Sequence, residues 1–166
     1  MTIIVTGKIN SGKTSRLKKI YDQNQIGDGI ISKKIMIDTD VYGFNGIRLS
    51  DNFEFPFMIH ERYYFKNDSI SYEDKNIESV YSIGPYKVLK SGIDFIDKTY
   101  MELLDKSISP LFFDEVGKLE LSGKGYYTHI KEAVENKIDI FITIRDDLII
   151  DFIEKLHIID YQIVSR

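Results

Sequence analysis

Gly7-Lys8-Ile9-Asn10-Ser11-Gly12-Lys13-Thr14 spells a complete G-x-x-x-x-G-K-[ST] loop at the front of a 166-residue chain. Ile3-Ile4-Val5 before it is a buried-strand run. Leu17, Ile20 and Tyr21 after it repeat at the i, i+3, i+4 spacing of a half-buried helix. Strand, loop and helix therefore follow in the order that a phosphate-binding loop requires. Each residue type has its reason. The glycines let the backbone curl so that successive N–H groups face phosphate oxygens, and the helix start adds its positive dipole end. Lys13 brings a point charge for the β- and γ-phosphates, and Thr14 places a hydroxyl on Mg²⁺. Gly7, Lys8, Ile9, Asn10, Ser11, Gly12, Lys13, Thr14 and the following Ser15 are the candidate nucleotide-binding set. The motif implies a nucleoside triphosphate as ligand.

Composition narrows the class. With 43% hydrophobic and 29% charged residues, the chain reads as an ordinary globular protein, expected to form one domain over residues 1–166. Its net charge is −4 and it has no long basic run, so nucleic acid is not the expected partner. It has no cysteine, which excludes disulfides and thiolate metal sites. No eighteen-residue apolar stretch and no charged leader region are seen, so a cytoplasmic protein without a membrane partner is expected.

The two halves differ. Gly29–Ser32, Ile35–Asp38 and Val41–Phe44 read as strands, with turn chemistry at Asp38-Thr39-Asp40 and at Asn45-Gly46. Further short strands are expected at Phe53–Ile59, Arg62–Phe65 and Ser79–Ile83, with a polar loop at Lys66–Ser69. In the second half, Ile93, Ile96, Tyr100, Leu103 and Leu104 share one helix face, and Pro110 opens the next strand. Helices through Tyr127–Val134 and Leu148–Leu156 alternate with strands at Ile138–Ile144 and Ile158–Val164. This alternation predicts an α/β fold: a mainly parallel sheet flanked by helices. Residues 33–88 form an antiparallel β-hairpin extension within it.

Leu111-Phe112-Phe113-Asp114-Glu115 is an apolar strand ending in two acids. Asp114 would emerge at the carboxyl edge of the sheet, where open α/β folds bind ligands, and hold Mg²⁺ on the side opposite Thr14. Glu115 can accept a proton from an attacking water. Alternation along a strand predicts that the two acids point to opposite faces and do separate jobs. Lys13 is expected to face solvent until nucleotide binds.

The string continues as Asp114-Glu115-Val116-Gly117-Lys118-Leu119-Glu120-Leu121. Here the chain resembles the small P-loop nucleoside-triphosphatases first described from thermophiles, whose second motif runs Asp-Glu-Ile/Val-Gly-x-Met/Leu-Glu. Gly29-Ile30-Ile31, Gly43-Phe44 and Tyr86-Lys87-Val88 agree in order, so the resemblance spans nearly the whole chain. It implies a RecA-like core with one strand inserted between the two motif strands. It also implies Mg²⁺-dependent hydrolysis of ATP, GTP and similar triphosphates, with Glu115 as general base and Thr14 and Asp114 on the metal. Asn10 stands where the family usually has glycine, and Asn tolerates the left-handed conformation. Ser32-Lys33-Lys34 replaces a stretch often acidic in the family.

Other residues carry two readings each. Lys118 either supplies charge to the γ-phosphate, as an internal stand-in for an arginine finger, or is a solvated lysine. Glu120 pins Lys118 or the following loop, or is a surface acid at a helix start. In a RecA-like order the tip of the Ile138–Ile144 strand faces the γ-phosphate. Of Thr143 and Arg145 there, Arg145 is the stronger catalytic candidate because it brings charge. His60, His129 and His157 are too dispersed for a metal cluster. Tyr86, Tyr126 and Tyr127 are candidates to stack on a base. Two rivals to hydrolysis stand: a small-molecule or nucleotide kinase using the same loop, and a slow nucleotide switch acting on another protein.

Overall fold

The computed structural model describes residues 1–64 and 77–165. Its elements run β1 (Thr2–Thr6), α1 (Lys13–Asn24), β2 (Asp28–Ile37), β3 (Asp40–Arg48), β4 (Glu54–His60) and α2 (Glu61–Tyr64). They continue as β5 (Ser79–Ile83), β6 (Tyr86–Leu89), α3 (Lys90–Asp105), β7 (Leu111–Val116), α4 (Lys118–Leu121) and α5 (Tyr127–Glu135). The last are β8 (Ile140–Ile144), a single 3₁₀ turn at Asp146–Leu148, α6 (Ile149–Leu156) and β9 (Tyr161–Val164). The strands form one mixed sheet in the order β5-β6-β4-β3-β2-β7-β8-β1-β9. From β2 through β7, β8 and β1 to β9 every pair is parallel; from β2 outward through β3, β4, β6 and β5 every pair is antiparallel. The expected parallel core with an antiparallel extension is the fold observed, and β8 lies between β7 and β1 as a RecA-like order requires.

Period-two alternation sorts the apolar strands onto two faces. Ile4, Ile30, Phe113 and Ile142 join the larger core beneath α3, α5 and α6. Their neighbours Val5, Ile31 and Phe112 join Leu17 of α1 on the other face. Both faces are covered, so β1, β7 and β8 read as continuous apolar runs rather than alternating ones. Tyr100 ties α3 to the sheet: its ring stacks on Phe113 at 4.5 Å. Its hydroxyl donates to the Phe112 carbonyl at 2.5 Å and accepts from the Ile30 N–H at 3.1 Å. No helix of the described residues is long and apolar enough to cross a membrane.

Two local expectations are corrected. Asn45-Gly46 is not a turn but lies inside β3, where Asn45 pairs with Lys33 and Gly46 with Ser32. Gly46 serves packing there, because a Cβ would stand 2.3 Å from the Phe55 ring. The hairpin turns earlier, at Asp38, which takes φ 52°, so β2 continues unbroken through both predicted strands. Arg62 begins no strand. The chain leaves β4 in the short helix α2, whose start is fixed by Glu61 N–H to the Pro85 carbonyl and Arg62 N–H to His60 Nδ1. An Arg62–Asp40 ion pair at 2.9 Å and the Tyr63 ring on Tyr42 hold it. The polar loop expected at 66–69 lies outside the described residues.

Candidate active site

The loop between β1 and α1 has the backbone that its glycines and asparagine foretell. Gly7 takes φ 155°, Asn10 59° and Gly12 83°. A Cβ on Gly7 would meet Ser11 Oγ at 2.5 Å, so Ser11 would have to turn aside, and the positive φ disfavours a side chain there in any case. α1 has no acid in its first turn, which leaves its N-terminal amides open to an anion. Lys13 departs from expectation. It is only 6% exposed, and its ammonium donates to two carbonyls of the loop itself, that of Gly7 at 3.3 Å and that of Lys8 at 3.0 Å. The charge is held across the mouth of the loop because two backbone acceptors lie within reach.

Asp114 is the best-anchored polar group of the site. One carboxylate oxygen accepts from Thr14 Oγ1 at 2.8 Å and from the Ser32 N–H at 2.9 Å. The other accepts from Thr143 Oγ1 at 2.5 Å. Burial pushes its pKa up, and these hydrogen bonds pull the other way. Thr14 and Asp114, 100 residues apart in sequence, thus present adjacent hard oxygens, a donor set suited to Mg²⁺. Thr143 also accepts the Glu115 N–H at 2.7 Å, so one buried hydroxyl on β8 orients both acids.

Glu115 does not obey simple alternation. It takes φ 57°, and the β7–β8 ladder slips there before Val116 resumes pairing with Ile144. Such a bulge re-aims a side chain, and Asp114 and Glu115 both line one cavity with Lys13. The Glu115 side chain stays exposed at the cavity mouth; partial desolvation there and the Asp114 charge raise its pKa, and Lys13 and Lys34 lower it. Lys34 itself donates to Asn10 Oδ1 at 3.2 Å, joining β2 to the phosphate loop.

Lys118, first residue of α4, and Arg145, just past β8, line the same cavity. Arg145 reaches it with its guanidinium clamped on Asp147, Nε to Oδ1 at 2.9 Å with a second bond beside it. Thr143, which carries no charge, has the closer contact with the acids. The tyrosines sort differently from one another. Tyr126 is buried edge-on against Tyr100 and Phe113, and Tyr127 lies beneath Lys155. Tyr86 packs on Phe44 and His60 in the extension.

Glu120 pins the following loop. It is buried, and its two oxygens accept the N–H groups of Gly117 at 2.8 Å and Tyr126 at 3.1 Å. His129 is a satisfied core histidine, 2.8 Å from Asp97. Among the described residues no group of three or more His, Cys, Asp and Glu is placed to hold a metal.

Two predictions arise here. Thr143→Val keeps the shape but strips Asp114 and the Glu115 N–H of a buried partner, and should cost about 1–3 kcal/mol in chemical denaturation of the nucleotide-free protein. An unchanged midpoint would mean that the hydroxyl does not anchor the acids. The second concerns pH. Burial pushes Glu120 up to about 7 from 4.5. Between those values the folded state binds the proton that the unfolded chain has released, so stability falls as pH rises. From pH 5 to pH 8 this group alone should remove about 2 kcal/mol, and the raised carboxyls of Asp114 and Glu115 act with the same sign. Glu120→Gln should flatten that part of the pH–stability curve. A curve of unchanged slope would refute the assignment.

Comparison with known proteins agrees with this geometry. A family model described as NTPase matches residues 2–165. The chain is 24% identical over 145 residues to the nucleoside-triphosphatase THEP1 of Thermotoga sp. (strain RQ2), covering 87% of this chain and 74% of the relative. The crystal structure of THEP1 from the hyperthermophile Aquifex aeolicus superposes with a TM-score of 0.63 at 19% identity, covering 99% and 89% of the two chains. The solution structure of a human cancer-related nucleoside triphosphatase gives 0.64 at 15% identity, covering 99% and 87%.

Proposed function

Because the chain belongs to the NTPase family, whose model spans residues 2–165, we propose that it hydrolyses nucleoside 5'-triphosphates to diphosphate and phosphate with Mg²⁺ as cofactor. The observation that carries this reading is the meeting of Thr14, Asp114 and Glu115 beside Lys13 at the mouth of one cavity. Loop amides and the start of α1 bind the phosphates. Lys13, released from the Gly7 and Lys8 carbonyls, places its charge between the β- and γ-phosphates. Thr14 and Asp114 are the residues that would hold Mg²⁺, which when bound neutralises charge developing on the phosphate oxygens. Glu115 orients the attacking water and takes its proton; partial desolvation in the cavity and the neighbouring Asp114 charge raise its pKa, which strengthens it as a base. Lys118 and Arg145 supply further positive charge on the γ side, Arg145 only after exchanging Asp147 for phosphate.

The test is phosphate release from ATP, GTP, CTP and UTP with Mg²⁺ and with EDTA. Release without any added acceptor, abolished by EDTA and varying little among the bases, is expected. Phosphate release equal to the enzyme-free control with all four triphosphates would overturn the reading.

A further inference from the structure

Two cavities open on either side of Lys13. The larger, about 680 Å³, is lined mostly by residues with polar or charged ends, among them Ser15, Arg16, Lys19, Asp146 and Ser165. The other, about 400 Å³, starts at Asp114 and Glu115 and runs beneath the antiparallel extension. Most of its wall is apolar, from Phe44, Phe57, Met58, Ile83, Ile93 and Leu119, with polar side chains such as Asn45, Lys118 and Glu120 between them. The order of groups along a bound triphosphate assigns a side to each. The lysine of such a loop reaches the β- and γ-phosphates, and Thr14 and the strand-end acid are the residues that would hold a metal beside them. The γ end therefore faces Asp114 and Glu115, and the nucleoside end leaves past Ser15 and Arg16 into the polar cleft. The apolar chamber lies beyond the γ-phosphate.

Hydrolysis alone gives that chamber nothing to do. A water takes about 30 Å³, a small part of the chamber, and its polar partners Asp114 and Glu115 stand at one end, away from the apolar walls of the extension. The chamber also suits no anion. Asp114, Glu115 and Glu120 put three carboxylates on its lining, and Lys34 is bonded to Asn10. We propose that the chamber is a second substrate subsite that holds a small, largely apolar alcohol, whose hydroxyl at Glu115 takes the place of the attacking water. The step rests on the hydrolytic reading of Glu115. The alcohol oxygen forms a bond to the γ-phosphorus as the bond from that phosphorus to the β-bridging oxygen breaks. The hydroxyl proton passes to the Glu115 carboxylate, and the products are a phosphate monoester and a nucleoside diphosphate.

The probe is 4-fluorobenzyl alcohol with the full chain and Mg²⁺. Its ¹⁹F resonance should broaden in the presence of saturating β,γ-imido-ATP, since the two sites are distinct. With ATP instead, ³¹P spectra should show 4-fluorobenzyl phosphate growing beside inorganic phosphate. Ile93→Trp, which fills the chamber, should lower the ratio of ester to phosphate by about tenfold or more. Loss of broadening when the triphosphate analogue is added would place the base in the chamber and overturn the proposal. So would an ester signal no greater than the enzyme-free control, or an unchanged product ratio in a folded Ile93→Trp. Where that variant fails to fold, the two measurements on the unaltered chain decide. Alcohol-free samples separate the two readings: phosphate without ester removes the acceptor alone, and neither product removes hydrolysis as well.

Discussion

Glu115→Gln should bind Mg²⁺-nucleotide about as tightly as the parent and hydrolyse it about 10²–10⁴-fold more slowly. The substitution preserves length and shape at a position whose backbone is already held. The Glu115 N–H donates to Thr143 Oγ1 at 2.7 Å, and the left-handed bulge at φ 57° aims the side chain. Asp114, which bonds Thr14 directly, is untouched. Only the proton acceptor is lost. Asp114→Asn should behave differently, because an amide cannot accept from Thr14, Ser32 and Thr143 together without turning its NH₂ toward a donor. That variant should lose the metal-dependent part of binding along with turnover. Nucleotide titrations with and without Mg²⁺, run beside phosphate release on both variants, separate the two roles. Parent-rate hydrolysis by Glu115→Gln would dismiss Glu115 as the base for water and alcohol alike.

The contrast between the acids shows where sequence reasoning reaches and where it stops. The phosphate loop was legible because its chemistry is local: two glycines, a left-handed Asn10 and a helix start lie within eight residues. The placement of β8 between β1 and β7 followed once strand and helix alternation was combined with the family resemblance. The direction of Glu115 was not legible. Alternation sends it away from Asp114, and the bulge that turns it back depends on Thr143, 28 residues on. Thr143 sits in the run Ile142-Thr143-Ile144 and looks there like any β-branched core residue. Its importance comes from burial beside a carboxylate, which no local pattern records. Glu120 is a similar case. Only the fold brings the Tyr126 N–H to its carboxylate and makes a residue with the pattern of a surface acid into a buried anchor. Asn45-Gly46 errs in the opposite direction. Its composition signals a turn, but the glycine is needed for the close approach of Phe55.

Lys13→Ala should weaken triphosphate binding or turnover by about a hundredfold or more, since it removes the one buried side-chain charge of the loop, Lys8 being exposed. The nucleotide-free state matters to how this is measured. The ammonium already spans the loop, bonded to Gly7 and Lys8, so the lysine is an internal tie as well as a ligand. Those carbonyls border the open polar cleft, where water can replace the ammonium, so the loss of stability without nucleotide should stay near 1 kcal/mol. Binding offers no such substitute: water cannot neutralise the γ-phosphate, and the amides of α1 face the other phosphates. Thermal unfolding with and without Mg²⁺ and a non-hydrolysable triphosphate distinguishes the two contributions. The parent melt should rise with ligand concentration as mass action requires. The Lys13→Ala melt should begin close to the parent value and fail to rise over the same range. A variant that still rises with the parent's concentration dependence would mean that the loop amides alone carry the affinity, and that Lys13 acts as a tie and not as a phosphate ligand.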